Sequence, residues 1–294
     1  MFEEPRGLSL EPNRSSRHAI GIRAGTGDVY RALTDPGELG RWFVAEASVD
    51  LRPGGAYRWV FGDATGSPGA AAQAAAGEFV TIAENELLRM RTVIDGVETE
   101  LECRLDARPE GTLLTLTHGG FPGEEEWDET FRAVDRSWEV ELYVLKIYLE
   151  RARGMVRQAR FHQAGVAAPR ESVFRSLTTG EGLQRWLAVR ASAEARPGGE
   201  VVLEWNDRSV SRGHLAVCDP DVFVVMTWEG DRPSLVAIAL SIGNEDDVGS
   251  DDGETTDLRL EHRLFAPDPE SFRPFDWAAA LGRLVESMQV GSKA

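Results

Sequence analysis

Residues 29–55 of this chain, VYRALTDPGELGRWFVAEASVDLRPGG, return 144 positions later as VFRSLTTGEGLQRWLAVRASAEARPGG at 173–199, with 13 of 27 positions identical. A repeat of that length reads as one folding unit written twice, each copy burying the same apolar positions. The offset recurs downstream, where TLLTLTHGGF (112–121) lies over TDLRLEHRLF (256–265). It also holds upstream, where His18, Ile20 and Ile22 lie over His162, Ala164 and Val166. One offset kept over that span predicts two like domains, residues 15–155 and 156–290, in a chain of 294.

Hydrophobic residues make up 42% and charged residues 28%, the balance of a soluble globular chain, and this excludes wholesale disorder. No apolar run approaches the roughly 20 residues of a membrane helix, and the charged start MFEEPRG has no signal-peptide character. A net charge of −17 repels phosphate backbones and anionic headgroups, so nucleic-acid binding and membrane insertion are not expected. Two cysteines, Cys103 and Cys218, cannot build a disulfide framework, which makes the cytoplasm the expected compartment.

Each half has the same plan. A short first strand, at about 17–24, leads into two short helices. The second helix opens with Asp35-Pro36-Gly37-Glu38: a capping acceptor, proline at the first helical position and an acidic residue three places after the cap. Arg52-Pro53-Gly54-Gly55 predicts a turn. In 55–61 Tyr57, Trp59 and Phe61 share a face, and in 97–106 Thr99, Leu101, Cys103 and Leu105 oppose a charged face. Asp95-Gly96 between them is a two-residue hairpin signal. Counting outward from it pairs Arg91 with Glu100, Arg89 with Glu102 and Met90 with Leu101. A last strand (111–119) precedes a long helix beginning near Glu124–Glu126, with the stripe Phe131, Val134, Trp138, Leu142, Leu145 and Leu149. The second half ends on a shorter version carrying Trp277, Leu281, Leu284, Val285 and Met288. Gly62–Ala76 and the acidic Gly243–Asp257 read as loops, the latter without calcium-loop spacing.

An antiparallel sheet wrapped on a long C-terminal helix, with two short helices, is the helix-grip plan of the α+β class. The run V-[YF]-R-x-L-T, the short helix ending in R-W-[FL], the RPGG turn and LTHGG at 116–120 resemble the START-like (SRPBCC, Bet v 1-like) superfamily. Within it the chain is similar to tandem domains homologous to the activator of the 90-kDa heat-shock chaperone's ATPase. The second copy departs at Thr179-Gly180, where the first has Asp35-Pro36, and at LEHRL in place of LTHGG.

The resemblance implies a cavity between the sheet and the long helix. Trp59, Met90, Leu101 and Trp138 are candidates to line it in the first half, and Trp205 and Trp277 in the second. Large, soft side chains suit an apolar ligand and equally suit a solid core. Four of the five histidines fall at repeat positions, His18/His162 on the first strand and His118/His262 on the last. The family's sheet sets those strands side by side, so each domain is expected to hold a histidine pair at one end of its cavity. Such a pair could donate to a ligand, transfer protons, or cap strand ends. His118 and His262, on the apolar parity, join the candidate ligand-binding set. Cys103 has no counterpart in the second copy and no Cys-x-x-Cys or His-x-x-x-His spacing exists, so neither metal nor cofactor is expected. No nucleophile elbow, phosphate loop or dinucleotide fingerprint occurs, and no catalytic residue is assigned.

The expected function is binding of a hydrophobic small molecule, a lipid, polyketide or aromatic natural product, in biosynthesis or self-resistance. Two other classes stay open: a co-chaperone regulating a heat-shock ATPase, and a cyclase-like enzyme using the histidines as acid and base.

Overall fold

The computed structural model describes residues 14–62, 74–230, 232–243, 254–268 and 275–291. The first unit contains β1 (Arg14–Ile22), α1 (Thr26–Thr34), α2 (Pro36–Trp42), β2 (Glu46–Val49) and β3 (Ala56–Val60). It continues with β4 (Ala74–Ala83), β5 (Leu87–Ile94), β6 (Val97–Arg108), β7 (Gly111–Phe121) and the long α3 (Asp128–Arg151). The second contains β8 (Val156–Val166), α4 (Arg170–Thr178), α5 (Gly180–Trp186), β9 (Arg190–Ala193) and β10 (Gly199–Glu204). β11 (Val210–Asp219), β12 (Phe223–Trp228), β13 (Ser234–Ile242), β14 (Thr256–Ala266) and α6 (Trp277–Gly291) complete it. The chain divides into two compact units between Glu150 and Arg151, where α3 closes the first.

Each unit is one antiparallel seven-stranded sheet, ordered β1-β7-β6-β5-β4-β3-β2 and β8-β14-β13-β12-β11-β10-β9. These are two tandem helix-grip domains. The expected hairpin register is observed: Arg91 faces Glu100, Arg89 faces Glu102 and Met90 faces Leu101. Asp95 and Gly96 have φ of 47° and 84°, the left-handed pair a two-residue turn requires. On the outer face Arg89 reaches Glu102 at 2.6 Å and Glu100 at 3.1 Å, while Arg91 bridges Glu78 and Glu98.

The small helices repeat in detail. Asp35 accepts the Glu38 N–H at 2.9 Å, and the Thr179 hydroxyl accepts the Gly182 N–H at 3.1 Å, so the second copy keeps its cap through a different side chain. Trp42 donates to the Ala32 carbonyl and Trp186 to the Ser176 carbonyl, pinning one short helix to the other in each unit. Gly54 and Gly198, in the two RPGG turns, have φ of 74° and 75°.

The offset of 144 is not uniform. Val60 pairs with Ala74, but Glu204 pairs with Val210, a shorter connection; Arg108 pairs with Gly111, but Ile242 with Thr256, a longer one. With one residue fewer between Met226 and Val236 than between Met90 and Leu101, the differences cancel by the last strand. By sheet position Met90 therefore matches Met226, Leu101 matches Val236, and His118 again matches His262. Most of both expected loops, Gly62–Ala76 and Gly243–Asp257, lies outside the described residues, although Ala74–Ala76 already belongs to β4.

Candidate functional site

The inner face of the first sheet carries Trp59 from β3, Met90 from β5, Leu101 and Cys103 from β6, and Leu116 from β7, all buried. Strand alternation puts these residues on one side. Facing them are Trp42 and Phe43 from the end of α2, and Trp138, Glu141, Leu142 and Leu145 from α3. Together they enclose an interior cavity of about 20 Å³, room for one oxygen-sized group. Four expected residues, Trp59, Met90, Leu101 and Trp138, thus meet around one cavity. Phe43 sits among them, edge-on to Trp59 at 5.1 Å and stacked on Trp138 at 5.9 Å.

Two of the lining residues carry polar groups that are themselves buried. Trp59 is 6% exposed, and its indole Nε1 is buried with no hydrogen-bond partner among the described residues. Glu141 is 5% exposed and lines the same cavity. Sequence reasoning missed Phe43 and Glu141. For Glu141 a signal existed: it stands three residues after Trp138 and four before Leu145, on the apolar stripe itself. Cys103 is an inert thiol, its pKa pushed up to about 12, chiefly by burial.

His118 does not line the cavity; it holds a residue that does. Trp138 donates from Nε1 to His118 Nδ1 at 2.9 Å, and the other ring nitrogen lies 3.0 Å from the Thr99 hydroxyl. An acceptor at Nδ1 is a neutral imidazole, and burial accordingly lowers the His118 pKa to about 4. Both nitrogens are engaged, which leaves none for the proton transfer or ligand contact considered for it. His18 shares the inner face, opposite Leu116 in the β1–β7 ladder, with His118 opposite Ser16. The two rings do not form the expected convergent pair, because each turns to its own residue on α3: His118 to Trp138, and His18 Nε2 to Asp135 at 2.9 Å.

Ser16, His18 and Asp135 are a serine, a histidine and an aspartate in contact, yet they are not wired for nucleophilic catalysis. Ser16 donates to Asp135 at 2.5 Å and lies 3.0 Å from the same His18 Nε2 that meets Asp135. A catalytic relay places the serine and the carboxylate on opposite ring nitrogens. Among the described residues no cluster of three His, Cys, Asp or Glu could hold a metal.

In the second domain Trp277 donates to His262 Nδ1 at 2.9 Å, repeating the Trp138–His118 bond. The His262 pKa is lowered to about 4 by burial, then by the nearby His162 and Arg160 charges. Trp205 is satisfied at Nε1 by the Ser211 hydroxyl and leans on Phe275, which packs edge-on against Trp277. Superposing the helices on their Trp–His bonds aligns Glu141 with Ala280, the sheets align Trp59 with Leu203, and the C-caps of α2 and α5 align Phe43 with Leu187. Leu203 and Ala280 belong to the second domain's hydrophobic core with Val201, Met226, Val236 and Leu281. Both polar groups of the first cavity are absent from it.

Residues 23–150 and 167–288 each match the family model described as Activator of Hsp90 ATPase homolog 1-like protein. The chain is a tandem member of that family. Among solved structures, DynU16, a protein of the dynemicin biosynthetic locus, is 18% identical, with 94% of this chain and 95% of that one covered and a TM-score of 0.41. CalU16 from Micromonospora echinospora is 27% identical over 50% of this chain and 82% of its own, TM-score 0.36. The Aha1 dimer from Colwellia psychrerythraea is 20% identical over 47% and 97%, TM-score 0.39. The comparison with curated proteins found no match. No helix among the described residues is long and apolar enough to cross a membrane.

Proposed function

We propose that this activator-homologue chain acts in the cytoplasm by binding a hydrophobic small molecule, a lipid, polyketide or aromatic natural product, in its first domain. The observation that carries the reading is the cavity between sheet and α3, walled by four aromatic rings and Met90 and interrupted by few polar groups, the composition of a small-molecule site. Its volume admits one oxygen and no more, so a ligand enters by displacing a wall. The N-terminal half of α3 is that wall: Phe131, Val134 and Trp138 are only partly buried, whereas Leu142, Leu145 and Leu149 are fully buried. Holding a reactive or poorly soluble compound during biosynthesis, or sequestering it for self-resistance, needs no catalytic group.

Native mass spectrometry of the purified chain, with thermal unfolding against fatty acids, fatty alcohols and aromatic polyketides, tests this. A ligand at 100 times its Kd stabilises the domain by about 2.7 kcal/mol, and Trp59→Ala or Trp138→Ala weakens that shift. No retained mass and no shift from any compound overturns the reading. A second reading, a co-chaperone, is favoured by the match of both halves to the activator model. Stimulation of a heat-shock chaperone's ATPase by the full chain would support it.

A further inference from the structure

The corner where the two short helices meet the end of the long helix is filled in the first domain and open in the second. In the first, Tyr148 near the end of α3 is 1% exposed and donates from its hydroxyl to Glu38 of α2 at 2.6 Å. The repeat offset and the Trp–His alignment put Gly182 and Ser287 at these two places. A Cβ on Gly182 would lie 2.5 Å from Ser176 Cα, so no side chain can stand where Glu38 does. Serine does not span the space of a tyrosine ring, and an open cleft of about 670 Å³ lies between α4, α5 and α6. Small-molecule sites run to roughly 300–1,000 Å³.

Two further exchanges set the chemistry of this cleft. In the first domain Arg31 pairs with Asp28 at 2.9 Å; the second has Arg175 and Ser172 there. The Arg175 guanidinium makes no hydrogen bond or ion pair among the described residues. Ala32 is matched by Ser176, which is 5% exposed and whose hydroxyl also has no partner among the described residues. A hydroxyl held there without a partner costs stability, and a ligand would remove that cost. Ser172, Arg175 and Ser176 stand at i, i+3 and i+4, one face of α4, and all three line the cleft. Glu181 lines it too, but its carboxylate is held by Arg185. In a chain of net charge −17, this lining carries an unpaired cation.

We infer that the second domain binds a small aromatic carboxylate in this cleft, with its ring in the space that Tyr148 fills in the first domain and its carboxylate on Arg175 and the Ser172 and Ser176 hydroxyls. The guanidinium offers paired N–H donors to the two carboxylate oxygens, and each hydroxyl can donate one more bond. Pro169, Ala168 and Met288 supply apolar surface for the ring. The site is separate from the first-domain cavity and independent of what that cavity holds.

The test is calorimetric titration of the full chain with 2-naphthoate and its neutral counterpart 2-naphthamide. The naphthoate should bind at least about tenfold tighter, the value of one charge-assisted bond. Arg175 is exposed, and Arg175→Gln should bring the naphthoate down to the affinity of the amide. Ser287→Tyr, which restores the ring of the first domain, should abolish binding of both probes at this site. Trp59→Ala should leave naphthoate affinity unchanged, which separates this site from the first-domain cavity. If Ser287→Tyr folds poorly, the two-probe ranking with Arg175→Gln decides the matter. Absence of naphthoate binding, equal affinity for the two probes, naphthoate affinity unaltered by Arg175→Gln or by a folded Ser287→Tyr, or its loss in Trp59→Ala overturns the inference.

Discussion

His118 takes the Trp138 N–H at Nδ1, and that bond dictates its charge. A proton on Nδ1 would remove the acceptor, so the folded state admits only the neutral ring. Its pKa of about 4, and the same value at His262, lie below the unfolded value of about 6.5. Between those limits the unfolded chain binds more protons, so this contribution is complete above pH 6.5 and is lost as pH falls towards 4, on the order of 3 kcal/mol per histidine. His118→Gln should cost about 1 kcal/mol at pH 7 for the lost buried bond and flatten the acid limb of the Tm-against-pH curve. An unchanged Tm with a weakened ligand shift would instead make His118 a ligand contact. The neighbouring His18 follows a different logic, with its Nε2 shared between Ser16 and Asp135 on a more open edge of the sheet.

At the scale of elements, the two caps of the short helices test whether the copies remain equivalent where their sequences part. Asp35→Ala and Thr179→Ala should each lower stability by about 1 kcal/mol in denaturant unfolding. A neutral Thr179→Ala would mean the second helix is held by packing alone. Gly96→Ala should cost about as much, because alanine at φ of 84° is strained although the space around it is open. These elements were readable because their signals are local. A two-residue turn sets the pairing of Arg89 and Arg91 by counting, and a capping acceptor followed by proline marks a helix start. The long helices were harder to align. The offset of 144 puts Trp138 over Gly282, and only the bonds to His118 and His262 show that its counterpart is Trp277. The spacing of Glu141 on the apolar stripe is visible in the sequence, but without that alignment its replacement by Ala280 is not.

For the whole molecule, the fold was legible because a duplicated pattern states every apolar position twice, and the family match to 23–150 and 167–288 covers both copies. The cavity was legible only as a set of candidates, since no spacing tells a filled core from a lined one. The visible differences are Phe43 against Leu187, Trp59 against Leu203 and Glu141 against Ala280, which set larger side chains in the first interior than in the second. Hydrogen–deuterium exchange of the full chain with and without a saturating fatty alcohol tests the proposed binding in the first domain most directly, because it reports on both domains at once. Slowed exchange is expected in β3 and in α3 around 131–145, with β10 and α6 unchanged. Exchange unaltered in both domains, or slowed only in the second, would contradict it.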